Sequence, residues 1–275
     1  MQTCAYCNKT GIKPTKEHLW PTSLHRRIDK ANHDIFQEPN IFYLSKVDKI
    51  IDAEPQVKDV CAECNNGVLS ELDAYICRLW DKYFFRIVER GEEVRFEYDY
   101  NLLSRWLLKI SYNSARIHKS DVGHLAKCKD YILGNAPQPD HVTTHLQLAY
   151  PVDYTSFELR TVRERGLELT RHEPRLNRIG HLGYPTKTGI SRIIRAVHLQ
   201  SYVFLIHLFP ENVASTERLS NLADFKSLMP YAERVEDNAG FCLVKCEGMD
   251  SRESFYSHFR QKGIPNSSSK ELRGR

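Results

Sequence analysis

Two short cysteine pairs constrain this chain more than any other feature. Cys4-Ala5-Tyr6-Cys7 and Cys61-Ala62-Glu63-Cys64 are C-x2-C knuckles. Each has the spacing to chelate one side of a tetrahedral zinc, and together they make a closed, structural four-thiolate set. Eight cysteines also admit disulfides. The chain, however, opens Met1-Gln2-Thr3-Cys4 instead of with a basic and then apolar signal segment, so metal in a reducing compartment is the better account. The expectation is a cytoplasmic protein with no membrane association, since no run approaches the roughly 18 to 20 apolar residues that span a bilayer.

A hydrophobic share of 41% over 275 residues suffices for an ordinary core. The net charge of +4 permits a nucleic-acid partner without demanding one. Residues 1 to 80 hold ten basic against eleven acidic side chains, so the positive excess lies behind the cysteine module. From Pro174 to Pro210 there is no acid at all, while Arg175, Arg178, Lys187, Arg192 and Arg195 are present. Two accounts fit: a phosphate-facing, nucleic-acid-binding surface, or a buried strand from which acids are excluded anyway.

Periodicity gives the organisation. Residues 22 to 40 read as a short helix and a loop, and Ile41 to Leu44 with Lys49 to Ile51 as a hairpin. Val68, Leu69, Leu72, Ile76, Leu79, Trp80 and Tyr83 recur with helical spacing, followed by a strand over Val94 to Tyr98. A second helix is predicted from Tyr100 to Ile117; its polar residues Arg105, Lys109, Asn113 and Arg116 fit a phosphate-facing or a solvated face, and the solvated face is the expectation. After a short helix over Asp121 to Leu133, Gly134 to Pro139 marks a break. Strands are expected at His145 to Tyr150, Phe157 to Arg160, Leu167 to Thr170, Val197 to Phe209 and Phe241 to Val244, with a helix at Asn221 to Met229. The expected division is a zinc module over 1–88, a helical connecting segment over 89–134, an α+β domain over 135–262 and a disordered tail over 263–275.

Between the knuckles lies Glu17-His18-Leu19-Trp20-Pro21, and the second knuckle continues Cys64-Asn65-Asn66-Gly67. C-x2-C, then an acid–histidine pair before proline, then C-x2-C-Asn resembles the HNH, or ββα-metal, endonuclease family in its zinc-stabilised form. The resemblance covers about residues 1 to 80, and Ser104 to Lys109 is similar to a helix that often follows the module in such proteins. It implies an α+β chain whose N-terminal ββα-metal module, treble-clef-like, carries structural zinc on Cys4, Cys7, Cys61 and Cys64, followed by a helical segment and a β-rich mixed C-terminal domain.

The resemblance further implies phosphodiester hydrolysis. His18, neutral near pH 7, takes the proton from water; Glu17 and the side-chain carbonyl of Asn65 hold a Mg²⁺ or Mn²⁺, which prefers oxygen ligands. DNA is favoured over RNA as substrate, and defence against foreign DNA, including antiviral defence, is the implied setting. Two positions depart from the family pattern: Glu17 stands where Asp is usual, and Gln56, the remaining catalytic-site candidate, stands where the middle Asn of the motif lies, its amide suited to orient the His18 loop. The alternative is a catalytically inactive zinc-stapled module that binds nucleic acid or a protein partner. A protein partner or a homo-oligomer fits either reading.

Overall fold

The computed structural model describes residues 1–32, 42–44, 49–51, 55–164, 166, 168–175, 177–185 and 191–253. The expected tail at 263–275 and Lys187 lie outside them.

The first knuckle is a tight loop closed by Cys4 N–H to Lys9 C=O at 2.9 Å. Asn8 takes the left-handed conformation at φ 60°, which a short polar side chain tolerates. Strand β1 (Pro14–His18) and helix α1 (Thr22–Asn32) follow, then the short strands β2 (Phe42–Leu44) and β3 (Lys49–Ile51), which pair antiparallel as the sequence predicts. Strand β4 (Gln56–Cys61) returns antiparallel to β1, setting His18 opposite Gln56 and Pro14 opposite Cys61. The chain turns directly from Cys61 into helix α2 (Ala62–Asn66) and, after Gly67, into α3 (Val68–Leu79), which continues as a π-helical turn over Trp80–Phe84. Glycine is required at the α2–α3 joint, because a Cβ at residue 67 would lie 2.7 Å from the Glu63 carbonyl oxygen.

Strand β5 (Glu93–Glu97) leads to the long helix α4 (Tyr100–His118), started by the Asp99 side chain accepting from Leu102 N–H at 3.0 Å. Helices α5 (Val122–Ala126) and α6 (Lys129–Leu133) precede strand β6 (Val142–Leu148) and the two-residue strand β7 (Val152–Asp153).

Here the structure corrects the sequence. Phe157 to Arg160 lies in helix α7 (Ser156–Glu164), not a strand. Thr155 and Glu158 form a capping box: Glu158 N–H donates to Thr155 Oγ1 at 3.3 Å and Thr155 N–H to Glu158 Oε2 at 2.7 Å. That local pairing starts a helix irrespective of alternation in a four-residue window. Residues 168 to 170 are irregular and Leu167 is outside the described residues; strand β8 (Arg171–His172) follows.

Strands β9 (Asn177–Pro185), β10 (Ser191–Leu199) and β11 (Tyr202–Leu208), helix α8 (Ser215–Leu228), and strands β12 (Glu233–Arg234) and β13 (Phe241–Lys245) complete the order. The expected single run over Val197 to Phe209 is a tight β10–β11 hairpin, turned at Gln200 with φ 53°. Five strands form one antiparallel sheet in the order β12-β6-β11-β10-β9, and β13 pairs with β5. The architecture is mixed helix and strand. One hydrophobic cluster runs from Cys4 through Trp80, Trp106 and Phe204 to Cys246, and a second, around Val203, Leu205 and Phe225, lies under α8. No helix among the described residues is long and apolar enough to cross a membrane.

Candidate metal centre and active-site cavity

The β1–β4 register and the α2 turn bring the two knuckles together. The ligand atoms of Cys4, Cys7, Cys61 and Cys64 all lie within 4.8 Å of one another, so the four cysteines are placed to bind a metal ion. Sulfur separations are 4.0 Å for Cys4–Cys64 and 3.8 Å for Cys7–Cys61. Four sulfurs about 2.3 Å from a tetrahedral zinc stand about 3.8 Å apart, so the donor set and its spacing are compatible with structural zinc. The thiols differ in environment. Burial raises the Cys4 thiol, but backbone N–H groups of Cys61, Cys7 and Tyr6 outweigh it and bring its pKa to about 7. Burial, with contacts to the Cys61 and Cys7 sulfurs, pushes Cys64 far up. A bound cation is what lets such crowded thiols ionise together.

Behind the knuckles, β1, α1, α2 and α3 border an open cavity of about 620 Å³ lined in part by Glu17, His18, Asn65, Ser70, Asp73 and Arg78. None of the four cysteines lines it. His18, Glu17 and Asn65 thus line the same cavity, from β1 and α2. Gln56 is exposed on β4, opposite His18 in register. Asn65 clamps helix to strand: its Nδ2 donates to Thr15 Oγ1 at 2.9 Å and to the Lys16 carbonyl at 3.0 Å. The carbonyl end of the amide is thereby turned away from those two acceptors.

Glu17 is only 4% exposed. Its Oε1 lies 3.0 Å from Lys109 Nζ and accepts from Asn113 Nδ2 at 3.0 Å. Lys109 Nζ also donates to Asp73 Oδ1 at 2.5 Å, the oxygen that the Trp106 indole N–H reaches at 3.2 Å. Burial lowers the pKa of Lys109, but Asp73 and Glu17 outweigh it and the net shift is upward, so the ammonium stays charged. Burial raises the Asp73 carboxyl against the pull of Lys109.

The polar residues of α4 expected on a solvated face are therefore mostly inside. Lys109 and Asn113 are buried, and Arg116 pairs with Asp59 and donates to Asn113 Oδ1. Lys109, Asn113 and Arg116 follow Trp106 at three- and four-residue steps, on the flank of the apolar stripe. That spacing was the available signal that they meet polar partners in the fold.

The basic stretch of the C-terminal half resolves in favour of the buried strand. Arg192 and Arg195 are 1% and 2% exposed. Arg192 donates to the Asn221 carbonyl on α8, and Arg195 reaches Asp121 and the carbonyls of Ser111 and Ser120. Arg175 pairs with Glu173, and burial brings the Arg178 pKa down to about 10. Arg192 and Arg195 tie α8 and α4 to the sheet and do not form the phosphate-facing surface that the absence of acids suggested, whereas Arg175 and Arg178 are half-buried. Alternate residues of a central strand must point into one covering layer or the other, so an arginine there is buried on either face.

Comparison of the chain with protein-family models, with curated proteins and with solved structures returned no match.

Proposed function

We propose that the chain is a metal-dependent endonuclease of HNH type that hydrolyses phosphodiester bonds, with DNA as the favoured substrate. The observation that carries the reading is the convergence of Glu17, His18 and Asn65 on one cavity from β1 and α2. His18 acts as the general base that takes a proton from the attacking water. Asn65, through its carbonyl, and Glu17 are the oxygen donors for a Mg²⁺ or Mn²⁺, which when bound supplies charge stabilisation to the scissile phosphate. Oε1 of Glu17 is already engaged by Lys109 and Asn113, so its share falls to Oε2. The four cysteines carry structural zinc outside the cavity.

Incubation of the purified protein with plasmid and Mg²⁺ or Mn²⁺, beside the His18→Ala form, tests this. Cutting by the parent and not by the variant is expected; equal cutting by both removes His18 as base. The closure of Glu17 around an internal ammonium favours one rival, a zinc-stapled module that binds nucleic acid without breaking it. Salt-dependent, metal-independent binding with no cutting by the parent selects that rival.

A further inference from the structure

Asn113 stands where the metal centre and the cavity meet. It is completely buried on α4. Its Oδ1 accepts from the Tyr6 hydroxyl and from Arg116, each at 2.6 Å. Its Nδ2 donates to Glu17 Oε1 at 3.0 Å and to the His18 backbone carbonyl at 3.2 Å. A primary amide has two donor hydrogens and two acceptor lone pairs, so its whole capacity is used.

The partners come from three directions. Tyr6 sits between Cys4 and Cys7, inside the first knuckle, with its ring edge-on to Tyr112 at 5.3 Å. Arg116 is anchored by Asp59 on β4 and lies over both the Tyr6 and Tyr112 rings, at 5.2 and 4.9 Å. Glu17 and His18 are the last two residues of β1, and Glu17 is fixed a second time by Lys109. One side chain therefore connects the cysteine knuckle to two consecutive residues of the cavity wall. A buried amide with every donor and acceptor engaged holds its partners in one arrangement.

We infer that Asn113 is a positioning residue for His18: through its amide, the Tyr6 knuckle and α4 fix the backbone from which the His18 imidazole projects. The inference rests on the reading of the cavity as a hydrolytic site. It makes α4, which follows the cysteine module in the chain, part of the working site. A base must be held within a fraction of an ångström of its productive place, and a misplacement of about 1 Å costs about 100-fold in rate.

The test uses the full-length, zinc-loaded protein and two variants, Asn113→Ala and Tyr6→Phe. Tyr6→Phe keeps the ring and deletes one hydrogen bond, so it carries the test if Asn113→Ala fails to fold. Three readouts are needed: kcat and KM on bis(p-nitrophenyl) phosphate, the NMR signals of the His18 ring assigned with His18→Ala, and the melting temperature. Expected are a fall in kcat of about 10- to 100-fold for Asn113→Ala and a few-fold for Tyr6→Phe, with KM little changed. The His18 ring signals should be displaced or broadened in both. Variants that melt lower but keep the parent kcat and the parent His18 signals overturn the inference and leave Asn113 a core residue. If the parent does not hydrolyse the diester, the nuclease reading falls by itself, and the His18 signals decide: displaced in Tyr6→Phe, the positioning holds; unmoved, it is rejected.

Discussion

Lys109 Nζ lies 3.0 Å from Glu17 Oε1 and 2.5 Å from Asp73 Oδ1, so a single buried ammonium from α4 ties together carboxylates of β1 and α3. Removing one member of such a group leaves an uncompensated charge in the interior, which costs about 3 to 5 kcal/mol. Lys109→Met keeps much of the volume and strands two carboxylates. Its urea unfolding midpoint should fall accordingly, whereas Lys16→Ala, an exposed cation on the same strand as Glu17, should change stability by less than about 0.5 kcal/mol. Equal stability of Lys109→Met and the parent would mean the triad contributes no net fixing of β1.

The cysteine centre makes a second prediction. The protein should bind one zinc per chain, and Cys61→Ser should bind it far more weakly, because a tetrahedral thiolate site has no spare ligand. Cys61 is also the residue that ends β4 and caps α2, its Sγ accepting from Cys64 N–H at 3.4 Å. Chelation should therefore lower the melting temperature of the parent as well as remove metal. Metal analysis combined with calorimetry checks both, and a parent isolated without metal and unaffected by chelator would count against the centre.

Acid should destabilise the fold through the histidine pair on the sheet face under α8. His145 and His207 are 5% and 0% exposed, with ring centroids 5.0 Å apart and both against Phe225. Burial, with Arg234, Lys226 and Arg192 nearby, brings the His145 pKa down to about 4; burial, with His145 and Arg192, takes His207 well below its ordinary value. Both are neutral in the fold and charge more readily when unfolded. Their stabilisation is therefore complete above the unfolded value of about 6.5 and is lost as pH falls below it, for His145 through about 4. His145 alone accounts for about 3 kcal/mol over that window. The melting temperature measured between pH 7.5 and 4.5 should decline less in a His145→Leu, His207→Leu double variant than in the parent.

What the sequence disclosed and what it hid divide along a physical line. The cysteine spacing, the hydrophobic periods of α3 and α4 and the β2–β3 hairpin are local properties, and the structure has each where its residues place it. The destinations of polar side chains are decided by what packs opposite them, which no local window contains. Lys109 and Arg192 look like solvated or phosphate-facing cations until their partners, Glu17 with Asp73 and the Asn221 carbonyl, are in view. The α7 helix is the exception: its capping box Thr155-Ser156-Phe157-Glu158 was in the sequence, and a short alternation over the same residues obscured it. The cavity depends on both kinds of information. Glu17-His18 and Asn65 stand out in sequence, but the contacts of α4 to them, through Asn113 and Lys109, do not.

Asn65 separates two roles that one residue can combine, clamp and metal ligand. Thr15 Oγ1 donates its hydrogen to the Val60 carbonyl at 2.8 Å, so toward Asn65 it can only accept, as can the Lys16 carbonyl. Asn65→Asp replaces the amide with a carboxylate of the same shape that has no donor for either acceptor. The two lost bonds, now acceptor facing acceptor, should lower stability by about 1 to 3 kcal/mol in urea unfolding. A carboxylate is at the same time the better oxygen ligand for a hard divalent ion. Mn²⁺ binding, followed by the electron paramagnetic resonance of the free ion, should therefore be at least as tight in Asn65→Asp as in the parent, while both stability and Mn²⁺ binding fall in Asn65→Ala. Weaker Mn²⁺ binding by the Asp form would remove Asn65 from the ligand set and leave it the pin between β1 and α2.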